Sequence, residues 1–259
     1  MNPGTAECVG YTPPVSRATP ARPGWFITLE GPEGAGKTHQ AAKLRSALLA
    51  GGLEVTATRE PGGTPIGERI RSLLLELNAH AAHDPRTDAL LFNAARAELV
   101  TQVIRPALAR GDVVLCSRFA DSTVAYQGYG GGIPADDLRV LERLATGGLE
   151  PDLTILLDLP PDVGLARKSR AEVNRFEAAF DLAFHERVRD GFLAIARSAP
   201  ERFAVVDATP PEEAVFAAVR AAVAARLPTL ARAVGWADGR SEATERGAGE
   251  PERPGVRTT

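Results

Sequence analysis

A parallel, doubly wound α/β sheet of five strands, covered by helices on both faces, is the fold this sequence predicts. Three observations predict it. Short apolar runs alternate with helical patterns through the middle of the chain, the order that builds parallel sheets. The runs are continuously apolar, and several are rich in β-branched residues, as strands covered on both faces are. The first run leads straight into a glycine-rich loop that opens a helical segment.

The elements follow in order. Residues 1–23 carry Pro3, Pro13, Pro14, Pro20 and Pro23 without periodicity and read as a disordered leader. The folded unit is expected over 24–227, beginning with a strand at 25–29. A helix over 38–50 places Ala41, Leu44 and Leu48 on one stripe. The second strand is Val55–Thr58. Thr64-Pro65 is an N-cap and first-turn pair opening a helix over 65–76. A long helix runs from about Arg86 to Ile104 and is expected to end before Pro106. Strands follow at Val113–Cys116, Leu153–Leu159 and Phe203–Val206. Thr209-Pro210 starts a last helix toward Leu227. Residues 228–259, rich in Gly, Arg, Glu and Pro, read as a mostly disordered tail. No internal repeat is present.

Bulk properties narrow the function. The 259 residues, 44% of them hydrophobic, suit one α/β domain of about 200 residues plus tails, or at most two small domains. A net charge of −3 provides no basic field, which argues against a nucleic-acid polymer as partner. Cys8 falls in the leader and Cys116 in a buried strand, so no disulfide framework is expected. His39, His80, His83 and His185 lack zinc-site spacing. No apolar run approaches ~18 residues and no signal-type core opens the chain, so the expectation is a soluble, cytoplasmic protein without a membrane partner.

The glycine-rich loop is Gly31-Pro32-Glu33-Gly34-Ala35-Gly36-Lys37-Thr38, a match to the P-loop pattern at every fixed position. Its strand–loop–helix context makes the match a phosphate site. The glycines let backbone N–H groups curl around phosphate oxygens, and the helix N-terminus adds a favourable dipole. Lys37 supplies a point charge, and the Thr38 hydroxyl is placed to reach Mg²⁺. Only Lys37, Lys43 and Lys168 are lysines among 30 basic residues. A lysine in this loop therefore stands out from the chain's preference for arginine.

Four further segments extend the pattern: Arg59-Glu60-Pro61-Gly62-Gly63-Thr64 after the second strand, Leu91-Phe92-Asn93-Ala94-Ala95-Arg96 on the long helix, Ser117-Arg118-Phe119-Ala120-Asp121-Ser122-Thr123-Val124-Ala125-Tyr126-Gln127-Gly128 after the third strand, and Asn174-Arg175-Phe176-Glu177 after the fourth. Together with the P-loop they make residues 24–227 resemble thymidylate kinases of the bacterial type. The resemblance implies a P-loop NTPase fold with a mobile lid near 163–177, transfer of the γ-phosphate of ATP to the 5′-phosphate of dTMP, Mg²⁺ as cofactor, and a homodimer formed through helices near 65–76 and 86–104. The chemistry suits the residues. A phosphate monoester has a second pKa near ~6, so the acceptor needs no general base. It needs charge neutralisation and alignment of two polyanions.

The resemblance also assigns roles. Phe92 stacks on the thymine ring, and Arg96, one turn later on the same helix face, bonds the base edge. Arg71 and Arg118 hold the acceptor phosphate, a task suited to the bidentate guanidinium fork. Thr123 and Gln127 contact base or sugar, and Glu33 lies near the acceptor sugar hydroxyl. The lid contributes Arg167, Lys168, Arg170 and Arg175. Because Gly34-Ala35 occupy loop positions where some related kinases carry an arginine, a lid cation is implied in catalysis, with Arg167, Arg170 and Arg175 as candidates.

Two positions depart from the pattern, the lesser being Asn174, before Arg175, where the lid commonly has Asp. Ser117 stands where the family usually has Asp, keeping a hydroxyl but losing the charge that can hold Mg²⁺. Glu60, Asp121 and Asp158 are candidates to compensate. Two alternatives share the P-loop: a kinase for another nucleoside or nucleotide, and a nucleotide-binding protein that has lost turnover.

Overall fold

A computed structural model describes residues 24–75, 84–167 and 180–236. Its centre is an all-parallel sheet of five strands in the order β2-β3-β1-β4-β5. The strands are β1 (Trp25–Glu30), β2 (Val55–Arg59), β3 (Val113–Ser117), β4 (Leu153–Asp158) and β5 (Phe203–Asp207). The fold class is the one the apolar runs predicted. The central strands β1, β3 and β4 are buried almost throughout, whereas the edge strands β2 and β5 are partly exposed. All five strands end on a polar residue: Glu30, Arg59, Ser117, Asp158 and Asp207. In four of them the pairing runs one residue past the apolar run. The polar ends lie together along the carboxyl edge, where ligands bind in sheets of this kind.

Successive strand residues face opposite layers. Ile27, Leu115, Ile155 and Leu157 pack with Leu44 and Leu48 of α1 (Lys37–Ala50) and with Val215, Val219 and Val223 of α9 (Glu212–Arg226). On the other face, Phe26, Val114 and Cys116 meet Leu99, Val100 and Ile104, while Leu156 meets Phe184, Val188 and Phe192 of α8 (Leu182–Ser198). Burial of this order stabilises by about 1.5–3 kcal/mol per large apolar side chain.

Helix α2 (Pro65–Leu75) starts as expected: the Gly67 N–H donates to Thr64 Oγ1 at 3.0 Å, capping the first turn. The long helix differs from expectation. Helix α3 (Pro85–Leu99) passes through a π-helical segment at Val100–Ile104 into α4 (Arg105–Arg110), so Pro106 does not end it. Proline removes a donor and crowds the preceding turn, and the wider π turn ahead of it absorbs the mismatch.

Helix α5 (Ala120–Thr123) continues as a π-helical segment, Val124–Gly130. Helices α6 (Ala135–Thr146) and α8 were not among the expected elements. In α8 the stripe Phe184, Val188, Phe192 and Ala196 is buried, and Asp181 caps the start by accepting from the Phe184 N–H at 2.9 Å. Arginines interleaved with that stripe diluted its apolar signal. Helix α7 (Pro161–Ala166) leaves β4, and α10 (Pro228–Ala233) carries the folded unit past residue 227, with Leu230 and Ala231 buried. The expected leader, most of the expected lid, and residues 237–259 lie outside the described residues.

Candidate active site

The site is built on the ends of β1 and β3. Their register pairs Leu29 with Ser117, which sets the loop after β1 beside Arg118. Gly31 begins that loop at φ 139°, and a Cβ there would come 2.3 Å from the Leu157 carbonyl oxygen. Only glycine fits both the conformation and the approach. Lys37 folds back over the loop, its ammonium donating to the carbonyls of Gly31 at 2.9 Å and Pro32 at 2.7 Å. Glu33, Gly34, Ala35, Gly36, Lys37 and the exposed Thr38 line a cleft of about 920 Å³.

One end of this cleft is cationic. Arg118 is the non-glycine residue with positive φ among the described residues, at 68°, a conformation costly for a side-chain-bearing residue. Surrounding bonds impose it. The Arg118 N–H donates to the Leu29 carbonyl at 3.0 Å, and the next N–H, of Phe119, donates to Glu30 Oε1 at 2.6 Å. Ser122 Oγ donates to Glu30 Oε2 at 2.6 Å. The buried Glu30 carboxylate thus anchors the turn that aims Arg118. Burial, and then the charge of Asp121, push the Glu30 pKa up to about 7, against the Ser122 and Phe119 hydrogen bonds and Arg118.

The Arg118 guanidinium donates to Glu33 Oε1 at 2.6 Å, Tyr126 Oη at 3.1 Å and Ser122 Oγ at 3.2 Å. Tyr126 Oη in turn donates to Glu33 Oε1 at 3.0 Å. Burial alone would lower the Arg118 pKa, but Glu33, Tyr126 and Glu30 outweigh it and hold the group firmly protonated. Arg71 lies on the same wall, donating to the Pro61 carbonyl at 2.9 Å. Its pKa is lowered by burial and by the neighbouring charges of Arg59 and Arg118. Such a cluster of like charges favours an anion between its members.

Phe92, Thr123 and Gln127 line the same end, Phe92 packing partly buried beside Leu75. Arg96 does not reach the wall. It is 1% exposed and makes a buried ion pair with Glu60, Nη2 to Oε2 at 2.7 Å and Nε to Oε2 at 3.0 Å. It also donates to Thr123 Oγ1 at 2.9 Å, Asn93 Oδ1 at 2.9 Å and the Phe119 carbonyl at 3.2 Å. Arg96 stands one layer back from the cleft, bonded to Glu60 and Thr123, which themselves line it. The reason is burial: a desolvated guanidinium needs a carboxylate, and Glu60 supplies it.

At the opposite end Arg167 donates to the carbonyls of Ala208 at 2.9 Å and Thr209 at 3.1 Å. With Gln40, Pro210, Pro211 and Val215 it forms the wall beyond the P-loop. Arg170 and Arg175 lie outside the described residues.

The cleft therefore gathers Glu33 through Thr38 with Arg71, Phe92, Arg118, Thr123, Gln127 and Arg167, while Gly31 and Pro32 shape the loop from behind. Ser117 also lines it. The three carboxylates expected to compensate for it are each held by an arginine: Glu60 by Arg96, Asp121 by Arg202 at 2.7 Å, and Asp158 by Arg189 at 2.7 Å. Sequence reading missed Glu30 and Tyr126. A carboxylate placed directly after a continuous apolar strand was the available signal for Glu30, since a buried charge needs partners. Tyr126 stood inside a motif already singled out.

A glycine-rich phosphate loop facing an arginine-lined wall, at the carboxyl edge of a parallel sheet, defines a P-loop phosphotransferase. The family described as Thymidylate kinase matches residues 29–219, and the chain belongs to that family. A thymidylate kinase of Deinococcus radiodurans is 53% identical over 204 residues, covering 78% of this chain and 98% of that protein. One of Thermomicrobium roseum is 56% identical over 201 residues, covering 77% and 94%. Among solved structures, the thymidylate kinase of Ehrlichia chaffeensis is similar at a TM-score of 0.59 and 37% identity, covering 71% of this chain and 93% of that one.

Proposed function

We infer that this chain transfers the γ-phosphate of ATP to the 5′-phosphate of dTMP, giving dTDP and ADP. The observation that carries this reading is the single cleft: a phosphate loop and a cationic, aromatic-lined wall face each other in a chain of the thymidylate kinase family.

The geometry supports the following residue roles. The P-loop N–H groups and Lys37 hold the ATP phosphates. Arg118 and Arg71 take the acceptor phosphate, already largely dianionic at neutral pH, so one of its oxygens attacks the γ-phosphorus directly and ADP leaves. Phe92 offers a ring face to the thymine, and Thr123 and Gln127 meet its edge or the sugar. Arg96 acts from behind, holding Thr123 and Glu60. The Glu33 carboxylate, fixed by Arg118 and Tyr126, faces the acceptor sugar. Arg167 serves the donor-base wall, which leaves Arg170 and Arg175 as the lid cations proposed to cover the transferring group.

A Mg²⁺ site fits in one form. Among the described residues no cluster of three His, Cys, Asp or Glu could cage a metal, while the Thr38 and Ser117 hydroxyls line the cleft. Mg²⁺ commonly keeps its waters and takes substrate phosphates as ligands. When bound it would neutralise charge on the ATP phosphates; Thr38 and Ser117 would hold it with neutral oxygens.

A homodimer is supported by an apolar face. Ile66 and Leu73 on α2, Leu90 on α3, and Val140 and Leu144 on α6 are exposed, Leu144 at 82%. Helix α3 packs against both α2 and α6, so the three lie side by side. Such a patch is unfavourable in water unless covered. Leu144→Arg should give a monomer by light scattering. Among the described residues no helix is long and apolar enough to cross a membrane, and a cytoplasmic location remains the proposal.

The test is ADP release with ATP and Mg²⁺, comparing dTMP, dUMP, dCMP, dGMP and no acceptor. Strong preference for dTMP is expected. Release that ignores the acceptor would overturn the reading.

A further inference from the structure

Helix α7 contains a glycine that helix propensity disfavours. Gly164 lies within Pro161–Ala166, where glycine costs about 1 kcal/mol relative to alanine. No positive φ demands it there. The requirement comes from outside the helix. A Cβ on Gly164 would stand 2.1 Å from the Glu33 carbonyl oxygen and 3.2 Å from its carbon. In return, a Cβ on Gly34 would stand 2.0 Å from the Gly164 carbonyl oxygen and 2.6 Å from its carbon. The loop tip and the helix therefore touch backbone to backbone, and each approach depends on a missing side chain.

We propose that Gly164 is a positioning residue for the phosphate loop: α7 is the seat on which the Glu33-Gly34 peptide rests. The seat is firm. The Gly164 N–H donates to the Pro160 carbonyl at 3.0 Å, Pro161 is buried, and Arg167 ties the far end of the helix to the Ala208 and Thr209 carbonyls. Glu33 is thus held at two points, its carbonyl against α7 and its carboxylate by Arg118 and Tyr126. One contact sets a carboxylate at the acceptor wall and loop N–H groups at the donor phosphates. The inference rests on the kinase reading for what the loop binds, but not on dTMP as the acceptor.

Gly164→Ala tests it. Restoring ordinary contact requires the loop tip to move by about 1 Å, and misplacement of that size can cost ~100-fold. The expected result is an ADP affinity by calorimetry, and a KM for ATP, each weakened by at least ~10-fold in protein that circular dichroism shows to be folded at the assay temperature, with a lowered unfolding midpoint because the added methyl meets backbone. Asp162→Ala, an exposed position on the same helix, should leave both unchanged. A Gly164→Ala protein with wild-type ADP affinity and KM for ATP would overturn the proposal, even if kcat fell. Hydrogen exchange on the unaltered protein gives a second test that no folding failure can obscure. ADP should protect peptides spanning 31–36 and 161–167 together, and protection of the loop peptide alone would overturn the seat. Wild-type protein that bound ADP yet left dTMP unphosphorylated would instead sink the acceptor assignment and leave this inference standing.

Discussion

The two ends of the cleft are built from different materials. The acceptor end is made of side chains: Arg118 among Glu33, Tyr126 and Ser122, and behind it the buried Arg96–Glu60 pair. The donor end is made largely of backbone: glycines at positive φ, Lys37 on two carbonyls, Arg167 on two more. The difference matches the ligands proposed for each. A triphosphate offers many equivalent oxygens, which a curl of N–H groups can serve without chemical discrimination. A nucleoside monophosphate must be told from its relatives, and that takes oriented side chains. Strongly desolvated charges then need partners of their own, which is why the acceptor wall has ion pairs behind it.

The largest expected effect tests whether the ends are separate. Arg118→Lys should lower kcat/KM for dTMP by about 10³-fold or more, since one ammonium cannot replace a bidentate fork at a transferring phosphate. ADP affinity should barely change. Equal losses in both measurements would break the comparison. Next is the support behind the wall. Glu60→Ala leaves Arg96 buried without its carboxylate and should cost about 3–5 kcal/mol of stability in urea unfolding. A loss under ~1 kcal/mol would mean that water reaches the guanidinium.

Glu30 links this end to pH. Its folded pKa, about 7, lies above its ordinary 4.5 because of burial and the nearby Asp121. Between those values the folded state holds a proton that the unfolded state has released. Its contribution to stability is therefore full below pH ~4.5 and is lost as pH rises through 7, a span worth on the order of 3 kcal/mol. Glu30→Gln should flatten that part of the stability profile. An unchanged slope would place the titration elsewhere. The smallest effect concerns Ser117. Restoring a carboxylate with Ser117→Asp should reduce the Mg²⁺ needed for half-maximal rate by about tenfold. No shift would mean that phosphates and hydroxyls already satisfy the ion.

The strands were legible because burial on both faces demands continuous apolar runs, and the P-loop because its glycines and lysine have fixed spacing. The polar strand ends were not: Glu30, Arg59 and Ser117 look like loop residues until the ladder is seen to include them. Arg96 shows the same limit from the other side. Its i,i+4 spacing from Phe92 placed both on one helix face, and that held. Spacing could not say that Arg96 would be buried against Glu60, from the loop after β2, while Phe92 lines the cleft.

By itself, then, the sequence determined the layer architecture, the phosphate loop and the family, because each depends on local patterns of polarity and backbone freedom. Only the tertiary structure decided which arginine faces the cleft and which stands behind it, that Glu30 holds Arg118 in a left-handed turn, and that Gly34 and Gly164 meet backbone to backbone. Those outcomes turn on distances between residues far apart in the chain. The cost of an unpaired buried charge, or of a methyl group where two backbones touch, exists only once the chain has folded.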